Sequence, residues 1–313
     1  MTRERPTVAD KRRPAELSIA ARGWLRSHKW LFLRRAAQLF FLVLFLTGPL
    51  IGLWITKGTL ASSLTLEVLP LTDPLMALQA LVAGQVLVST AVIGALIVLG
   101  AYLLVGGRAY CSWVCPVNVV TDAAHWLRVK MGMDDGAGLK LWPYGRHALL
   151  AAVIAVSAVT GTVAWEFVNP VTILHRGLVF GTLFTTGAAW ALLLALFVFD
   201  WAVSRRGWCG HLCPVGAFYG LVGSRSLVRV SAHGRDACDT CMACFEVCPE
   251  PHVITPALRD KPAGYGPVVR SGDCTNCGRC IDVCHASVFR MTHRFDRRVT
   301  PGPAADETRQ EVA

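Results

Sequence analysis

Cys238-Asp-Thr-Cys241-Met-Ala-Cys244-Phe-Glu-Val-Cys248-Pro249 and Cys274-Thr-Asn-Cys277-Gly-Arg-Cys280-Ile-Asp-Val-Cys284-His285 decide how this 313-residue chain is read. Each stretch sets three thiols two residues apart and a fourth three residues later. Three thiolates at that spacing wrap one face of an iron–sulfur cubane in a tight loop, and the fourth reaches a second cubane. Two complete runs therefore predict a mutual exchange of ligands. Cys238, Cys241, Cys244 and Cys284 hold one [4Fe–4S] cluster, and Cys274, Cys277, Cys280 and Cys248 hold the other. Zinc sites use four ligands at other spacings, and Cys280-Ile-Asp-Val-Cys284-His285 has one residue too many for covalent haem. His285 stands where the first run has Pro249. Proline makes no bond to iron, so the ligand set is unaffected.

The other four cysteines belong to an internal repeat. Arg108-Ala-Tyr-Cys111-Ser-Trp-Val-Cys115-Pro116-Val matches Arg206-Gly-Trp-Cys209-Gly-His-Leu-Cys213-Pro214-Val. Upstream, Asp73-Pro74 corresponds to Asn169-Pro170, and Thr47-Gly48 leading to Trp54 corresponds to Thr160-Gly161 leading to Trp165. Each half reads as two apolar segments closed by Cys-x3-Cys-Pro. Halves with an even number of spans insert the same way up, related by an axis along the membrane normal. The two cysteine pairs then meet at one surface, which makes Cys111, Cys115, Cys209 and Cys213 candidate ligands of a third cluster or another thiophilic metal. Proline suits the first position of a new helix, so Cys115 and Cys213 are expected at helix N-termini, where the dipole favours thiolate. Redox-active thiol pairs, or cysteines that only pack, are the alternatives. All twelve cysteines fall in these four motifs, which leaves none for the disulfide framework of a small secreted domain.

Composition places the repeat in a membrane. Apolar residues make up 53% of the chain and charged ones only 17%, which is unlike a soluble protein. Lys and Arg crowd into the first 35 residues and the last third, so the net charge of +10 suits anionic lipid head groups and not nucleic acid. Four apolar segments, Ala36–Ile55, Leu78–Leu104, His147–Trp165 and Leu178–Phe199, are each long enough for a bilayer core of roughly 30 Å. The stretch 57–77 holds one basic residue and 166–177 only Arg176, whereas 106–146 holds Arg108, Arg128, Lys130, Lys140 and Arg146. The positive-inside rule then sets both termini and the central loop in the cytoplasm. Arg34-Arg35 imitates a twin-arginine export signal, but no small-residue cleavage site follows it.

The expected fold is an all-α membrane domain of four transmembrane helices, built as a two-helix parallel repeat. A small α+β two-cluster bacterial ferredoxin-like domain follows it. The expected boundaries are a basic cytoplasmic N-terminal tail at 1–35, the membrane domain at 36–202, and an interfacial linker with the second Cys-x3-Cys-Pro at 203–235. The ferredoxin-like domain covers 236–295 and a polar tail 296–313.

Arg26-Ser-His-Lys-Trp30, Leu71-Thr-Asp-Pro-Leu-Met76, Tyr110-Cys-Ser-Trp-Val-Cys-Pro116, Gly207-Trp-Cys-Gly-His-Leu-Cys-Pro-Val-Gly216 and Cys248-Pro-Glu-Pro-His-Val253 together resemble the NapH family. These are membrane ferredoxin-type subunits of periplasmic nitrate reductase electron transfer, and the resemblance runs over nearly the whole chain. It implies a multi-pass quinol dehydrogenase subunit of the bacterial inner membrane. Quinol is the substrate, and the partners are the membrane quinone pool, a periplasmic ferredoxin-like subunit and a membrane-anchored multihaem cytochrome. Related proteins serve methylamine utilisation and nitrous oxide reduction, so a non-catalytic redox scaffold, or an electron donor for maturing a periplasmic enzyme, is the alternative. A transporter, suggested by the parallel repeat, would be expected to carry ionisable residues inside its spans; the proposed spans lack them. Glu67, Asp73, Glu166 and His175 on the expected periplasmic side, and His125, His147 and His211 on the other, are candidates for handling quinol and its protons. Ordinary interfacial polar residues would look the same.

Overall fold

The apolar runs become helices, two of which end on a left-handed glycine, Gly52 and Gly161. The computed structural model describes residues 16–133, 139, 141–179, 187–259 and 265–299. Helix α1 (Lys29–Ile51) has 23 residues, so at about 1.5 Å per residue it is roughly 34 Å long. Among the described residues it is the one helix long and apolar enough to cross a membrane by length and composition alone. The second expected span, Leu78–Leu104, is divided: α2 (Pro74–Val82) stops at Ala83, Gly84 turns with φ 76°, and α3 (Ser89–Val105) follows. The third becomes α5 (Gly145–Thr160), ended by Gly161 in the left-handed region. The fourth runs partly through 180–186, outside the described residues, and continues as α7 (Ala188–Val198) with a π-helical turn, Phe199–Val203.

The membrane domain is not all-α as expected, because the connecting stretch between α1 and α2 forms strands. Strands β1 (Thr56–Gly58), β2 (Ser62–Thr65) and β3 (Leu69–Thr72) form an antiparallel meander in which Leu64 faces Lys57 on one side and Pro70 on the other. Four threonines from Thr56 to Thr72 favour the pleated backbone over a helix. Strand β3 lies along α3, which draws Thr72 and Asp73 into the interior.

The repeat survives in backbone detail. Asp73 Oδ1 accepts from the Leu75 N–H at 2.7 Å, and Asn169 Oδ1 accepts from the Val171 N–H at 3.1 Å. Each cap opens a helix on proline, α2 in one half and α6 (Pro170–Val179) in the other. After the cysteines come α4 (Val117–Lys130) and α8 (Pro214–Gly223). The stretch 203–235 thus carries a core helix: α8 packs against α3 and α5, with Ala217 and Tyr219 fully buried. Tyr110 stacks on Tyr219 with ring centroids 5.3 Å apart.

The ferredoxin-like domain pairs β4 (Val228–Ser231) with β5 (Arg290–His293) and packs α9 (Ala243–Val247) against α10 (Arg279–Val283). Val230, Val253, Ile254, Val269, Val288 and Phe289 form its core around the cysteines. Residues 16–35, expected as a tail, dock on this domain. Ser18 Oγ donates to the Asp282 carbonyl at 2.7 Å, and the Trp30 and Leu31 N–H groups reach the Asp282 carboxylate at 3.2 and 3.0 Å.

Candidate cysteine sites and the arginines around them

In each ferredoxin run the residues flanking the second cysteine take left-handed φ angles. They are Thr240 (62°) and Met242 (67°) in the first run, Asn276 (48°) and Gly278 (72°) in the second. This shared backbone curls each loop so that its three thiols face one way. Side chains tolerate the conformation at three of the four positions. At Gly278 any Cβ would lie 2.3 Å from the Trp30 ring, so glycine is required both for φ and for the close approach of α1.

The eight cysteines separate into two cradles. Cys238, Cys241, Cys244 and Cys284 line one cavity, and Cys248, Cys274, Cys277 and Cys280 line another. The fourth cysteine of each run therefore sits with the three of the other run. Among the described residues no three thiols come within 4.8 Å of one another; the group that does gather is Asp239, Cys241 and His285. A tetrahedral zinc–thiolate site draws its sulfurs to about 3.8 Å, so both cradles are too open for one ion and fit a larger cubane.

All four cysteines of the repeat line a third cavity, together with Asp73, Asn169, Tyr110, Trp165 and Trp208. The two helix-capping residues and the two Cys-x3-Cys-Pro motifs, far apart in sequence, thus meet in one buried place. Cys213 caps α8, and Cys115 stands one residue before Pro116, the cap of α4, as expected. The dipole does not prevail, however. Burial pushes the Cys213 thiol up to about 12 and moves Cys111, Cys115 and Cys209 the same way. Such thiols ionise only when a cation or metal compensates the charge.

Two ion-pair assemblies, which the sequence reading missed, tie this cavity to the ferredoxin-like domain. In the first, Arg108 and Arg146 donate to the same Glu250 oxygen at 2.7 and 2.8 Å, and Arg146 pairs with Asp273 at 2.7 Å. Arg108 also donates to the Cys209 carbonyl at 3.1 Å. Ser112 and Trp113 extend the contact by donating to the Thr275 and Asn276 carbonyls at 2.8 and 3.1 Å. In the second, Asp122 on α4 meets Arg35 at 2.7 Å, Arg279 at 2.6 Å, Arg206 at 3.2 Å and Arg34 at 3.7 Å. Burial alone would raise the Asp122 carboxyl, but Arg279, Arg206 and Arg34 hold it below the usual carboxylate range. Cys277 behaves alike: burial would raise it, yet Arg279 and Arg34 bring it below the ordinary thiol value. Arg108 and Arg206 occupy the same place in the repeat, three residues ahead of Cys111 and Cys209, and both are buried. That spacing was the available signal.

The remaining candidates scatter. Glu67 pairs with Lys57 on the surface. Glu166 accepts from Thr172 at 3.2 Å and faces Arg176 at 3.6 Å. His175 is buried edge-on to Phe45, with neither ring nitrogen hydrogen-bonded. His125 is pulled down to about 2 by burial and Arg206, so it stays neutral. Burial also lowers His211. His147 lies on α5 with its Nδ1 unpartnered.

Three cysteine-lined cavities, two of them in paired ferredoxin runs, define an iron–sulfur electron-transport protein of ferredoxin type. The model of a 4Fe-4S binding domain matches residues 88–134 and 186–231, the part of each repeat half that carries Cys-x3-Cys-Pro, and a 4Fe-4S dicluster domain matches 237–288. The chain is 52% identical to the methylamine utilization ferredoxin-type protein MauN of Methylorubrum extorquens, over 90% of this chain and 95% of that one. It is 52% identical to MauN of Paracoccus denitrificans, over 92% and 98%. It is 47% identical to the ferredoxin-type protein NapH of Escherichia coli, also over 92% and 98%. The chain belongs to the NapH/MauN family of ferredoxin-type proteins. No solved structure matches it.

Proposed function

We propose that this protein is the membrane-embedded component of a quinol dehydrogenase, crossing the bacterial cytoplasmic membrane four times with both termini inside. The observation that carries the reading is the buried cavity of Cys111, Cys115, Cys209 and Cys213, set inside the apolar helices and joined through Arg108, Ser112 and Trp113 to the second ferredoxin run. Helices α3, α5 and α7 are apolar though shorter than α1, and α7 gains length from its π-helical turn. Cys238, Cys241, Cys244 and Cys284 would hold one [4Fe–4S] cluster, Cys248, Cys274, Cys277 and Cys280 a second, and the four repeat cysteines a third. Bound there, such groups supply the one-electron steps that a two-electron quinol donor requires. The protein's part is to bury the thiolates, exclude water and keep the membrane cavity beside the ferredoxin-like domain. A periplasmic ferredoxin-like subunit and a multihaem cytochrome fit as onward partners toward nitrate reduction.

Anaerobically purified protein is expected to carry roughly twelve irons per chain, and its clusters should be reduced by added quinol. Cys111→Ser/Cys209→Ser should lose about four irons with both ferredoxin signals intact. An unchanged iron count, with no other metal in the unmutated protein, would sink the third site. Clusters that quinol leaves oxidised would sink the dehydrogenase reading.

A second reading is favoured by the 52% identity to two methylamine utilization proteins. The same chain would then donate electrons for maturing a periplasmic enzyme of that pathway. Deletion that abolishes growth on methylamine but spares nitrate respiration decides for it.

A further inference from the structure

The two ferredoxin cradles share a backbone and a ligand spacing, but they sit in different charge. The cavity of Cys238, Cys241, Cys244 and Cys284 is lined by Arg235, Arg259, Asp236 and Asp239, two charges of each sign, and Cys241 is exposed to solvent. The cavity of Cys248, Cys274, Cys277 and Cys280 backs onto both ion-pair assemblies. One of them is balanced, with Arg108 and Arg146 against Glu250 and Asp273. The other is not: Arg34, Arg35, Arg206 and Arg279 share the single carboxylate of Asp122. Four positive charges against one negative leave an excess of three. Three of those arginines are buried, Arg34 2% exposed, Arg206 6% and Arg279 8%. Buried charge is poorly screened and acts over longer range than surface charge.

Burial first and the neighbouring Arg279 second pull Arg206 down to about 10, against the attraction of Asp122, whereas Asp122 and Cys277 raise Arg279 against its burial. The four arginines share Asp122 as their common partner. Arg279 bridges the two places, since it both lines the cradle and donates to Asp122. A cubane with four thiolates is anionic, and one more electron makes it more so. Placed in this cradle, it is the missing counter-charge.

Resting on the iron–sulfur reading above, we infer that the arginines gathered on Asp122, Arg206 among them, are positioning residues for the cradle of Cys248, Cys274, Cys277 and Cys280. They hold it net positive, so that it takes up one electron more readily than the cradle of Cys238, Cys241, Cys244 and Cys284. None of them touches the reacting atoms; they act through the field. The arginine three residues ahead of the second Cys-x3-Cys-Pro thus tunes a ferredoxin site while its own motif faces the membrane cavity.

The test is a mediated redox titration of purified holoprotein followed by EPR, with the electrode as electron source and no quinol present. Cys244→Ala and Cys280→Ala assign the two signals. In unmutated protein the Cys248-containing centre is expected to titrate at the higher potential. Arg206→Gln should move that centre about tenfold toward the oxidised form at fixed potential, about 59 mV for one electron, and leave the other centre in place. Arg206→Lys should restore it. Asp122→Asn should move it the opposite way, a sign that loss of packing does not produce. Should Asp122→Asn lose iron, Arg35→Gln decides: this arginine has 31% of its side chain exposed, and its loss should give a smaller shift in the Arg206→Gln direction. Equal shifts of both centres, no shift in Arg206→Gln and Arg35→Gln, or shifts of one sign for Arg206→Gln and Asp122→Asn overturn the inference. Absence of two resolvable [4Fe–4S] signals in the unmutated protein overturns the functional reading instead.

Discussion

In the first half of the repeat, the stretch Arg108 to Trp113 reaches across to the ferredoxin-like domain through Glu250, the Asp273 and Thr275 carbonyls, and the Asn276 carbonyl. In the second half, Arg206 turns instead to Asp122 of the first half, and the motif itself winds as a π-helical turn, Trp208–Leu212. The cysteines nevertheless converge on one cavity. Duplication has kept the cysteine positions and released the flanking positions for separate work. The flank of the first motif docks the cluster domain, joined there by Arg146 at the start of α5, whereas Arg206 braces the first half and gathers charge. A test of this division is whether equivalent substitutions in the two halves fail differently.

The largest effect is expected at Glu250. Its carboxylate is the shared acceptor of two buried guanidiniums, with Arg108 1% and Arg146 4% exposed. Glu250→Ala strands both, and breaking such a buried assembly costs about 3–5 kcal/mol. Thermal unfolding of the detergent-solubilised protein should show that loss, with cleavage near 224–227 under limited proteolysis as the domain comes away. A loss below about 1 kcal/mol would mean that the first half does not dock through these charges.

A smaller and more local contrast lies in two glycines beside the repeat arginines. A Cβ on Gly107 would sit 2.0 Å from the Tyr219 carbonyl oxygen and 2.4 Å from the Gly223 nitrogen, both backbone atoms of α8. A Cβ on Gly207 would meet the Phe199 ring and the Ser204 and Leu141 side chains at 2.8 to 3.1 Å, and side chains can yield. Gly107→Ala should cost at least the 1–3 kcal/mol typical of overpacking, or about that, and Gly207→Ala less. Equal losses in chemical denaturation would erase the distinction between the halves at this point.

The two halves were readable in the sequence because Cys-x3-Cys-Pro and the Asp/Asn-Pro caps are local signals, fixed by chain geometry within a few residues. The spacing of three cysteines within each ferredoxin run is a signal of the same local kind. What was not legible depended on pairs distant in the chain. Arg34, Arg35 and Arg108 were read as topology charges, because excess basic residues beside an apolar run carry that meaning in general. In the structure the first two meet Asp122 and the third meets Glu250, partners 87 and 142 residues away. The meander at 56–72 was missed since short threonine-rich strands give no long periodic pattern. Asp73 was placed near the periplasmic edge for the same reason: only the packing of β3 along α3 brings it in to the cysteines.

The smallest expected effect separates the two ion-pair assemblies by pH. In the assembly around Glu250, His252 meets Asp273 at 3.3 Å, and that hydrogen bond, with the charge of Glu250 against the opposing effect of burial, raises the imidazole above its ordinary value. A raised folded value means that the protonated form is the stabilised one. The contribution is therefore fully present below the unfolded value of about 6.5 and is lost as pH rises through the folded value. Asp273 shifts the other way: burial opposes it, but His252, Arg146 and Arg108 lower it, so its contribution fails only in acid. The stability contributed by this pair should accordingly fall from near neutral pH upward. Because the His252 side chain is 60% exposed, solvent screening holds the change under about 1 kcal/mol. The assembly around Asp122 has no counterpart, since His125, beside Asp122 and Arg206, is held neutral throughout this range by burial and by Arg206. Stability measured against pH between 6 and 8 should fall gently in the unmutated protein and flatten in His252→Gln, while His125→Gln leaves the slope unchanged. A slope that follows His125 would place the pH-sensitive contact in the assembly around Asp122 and reverse the roles assigned to the two assemblies.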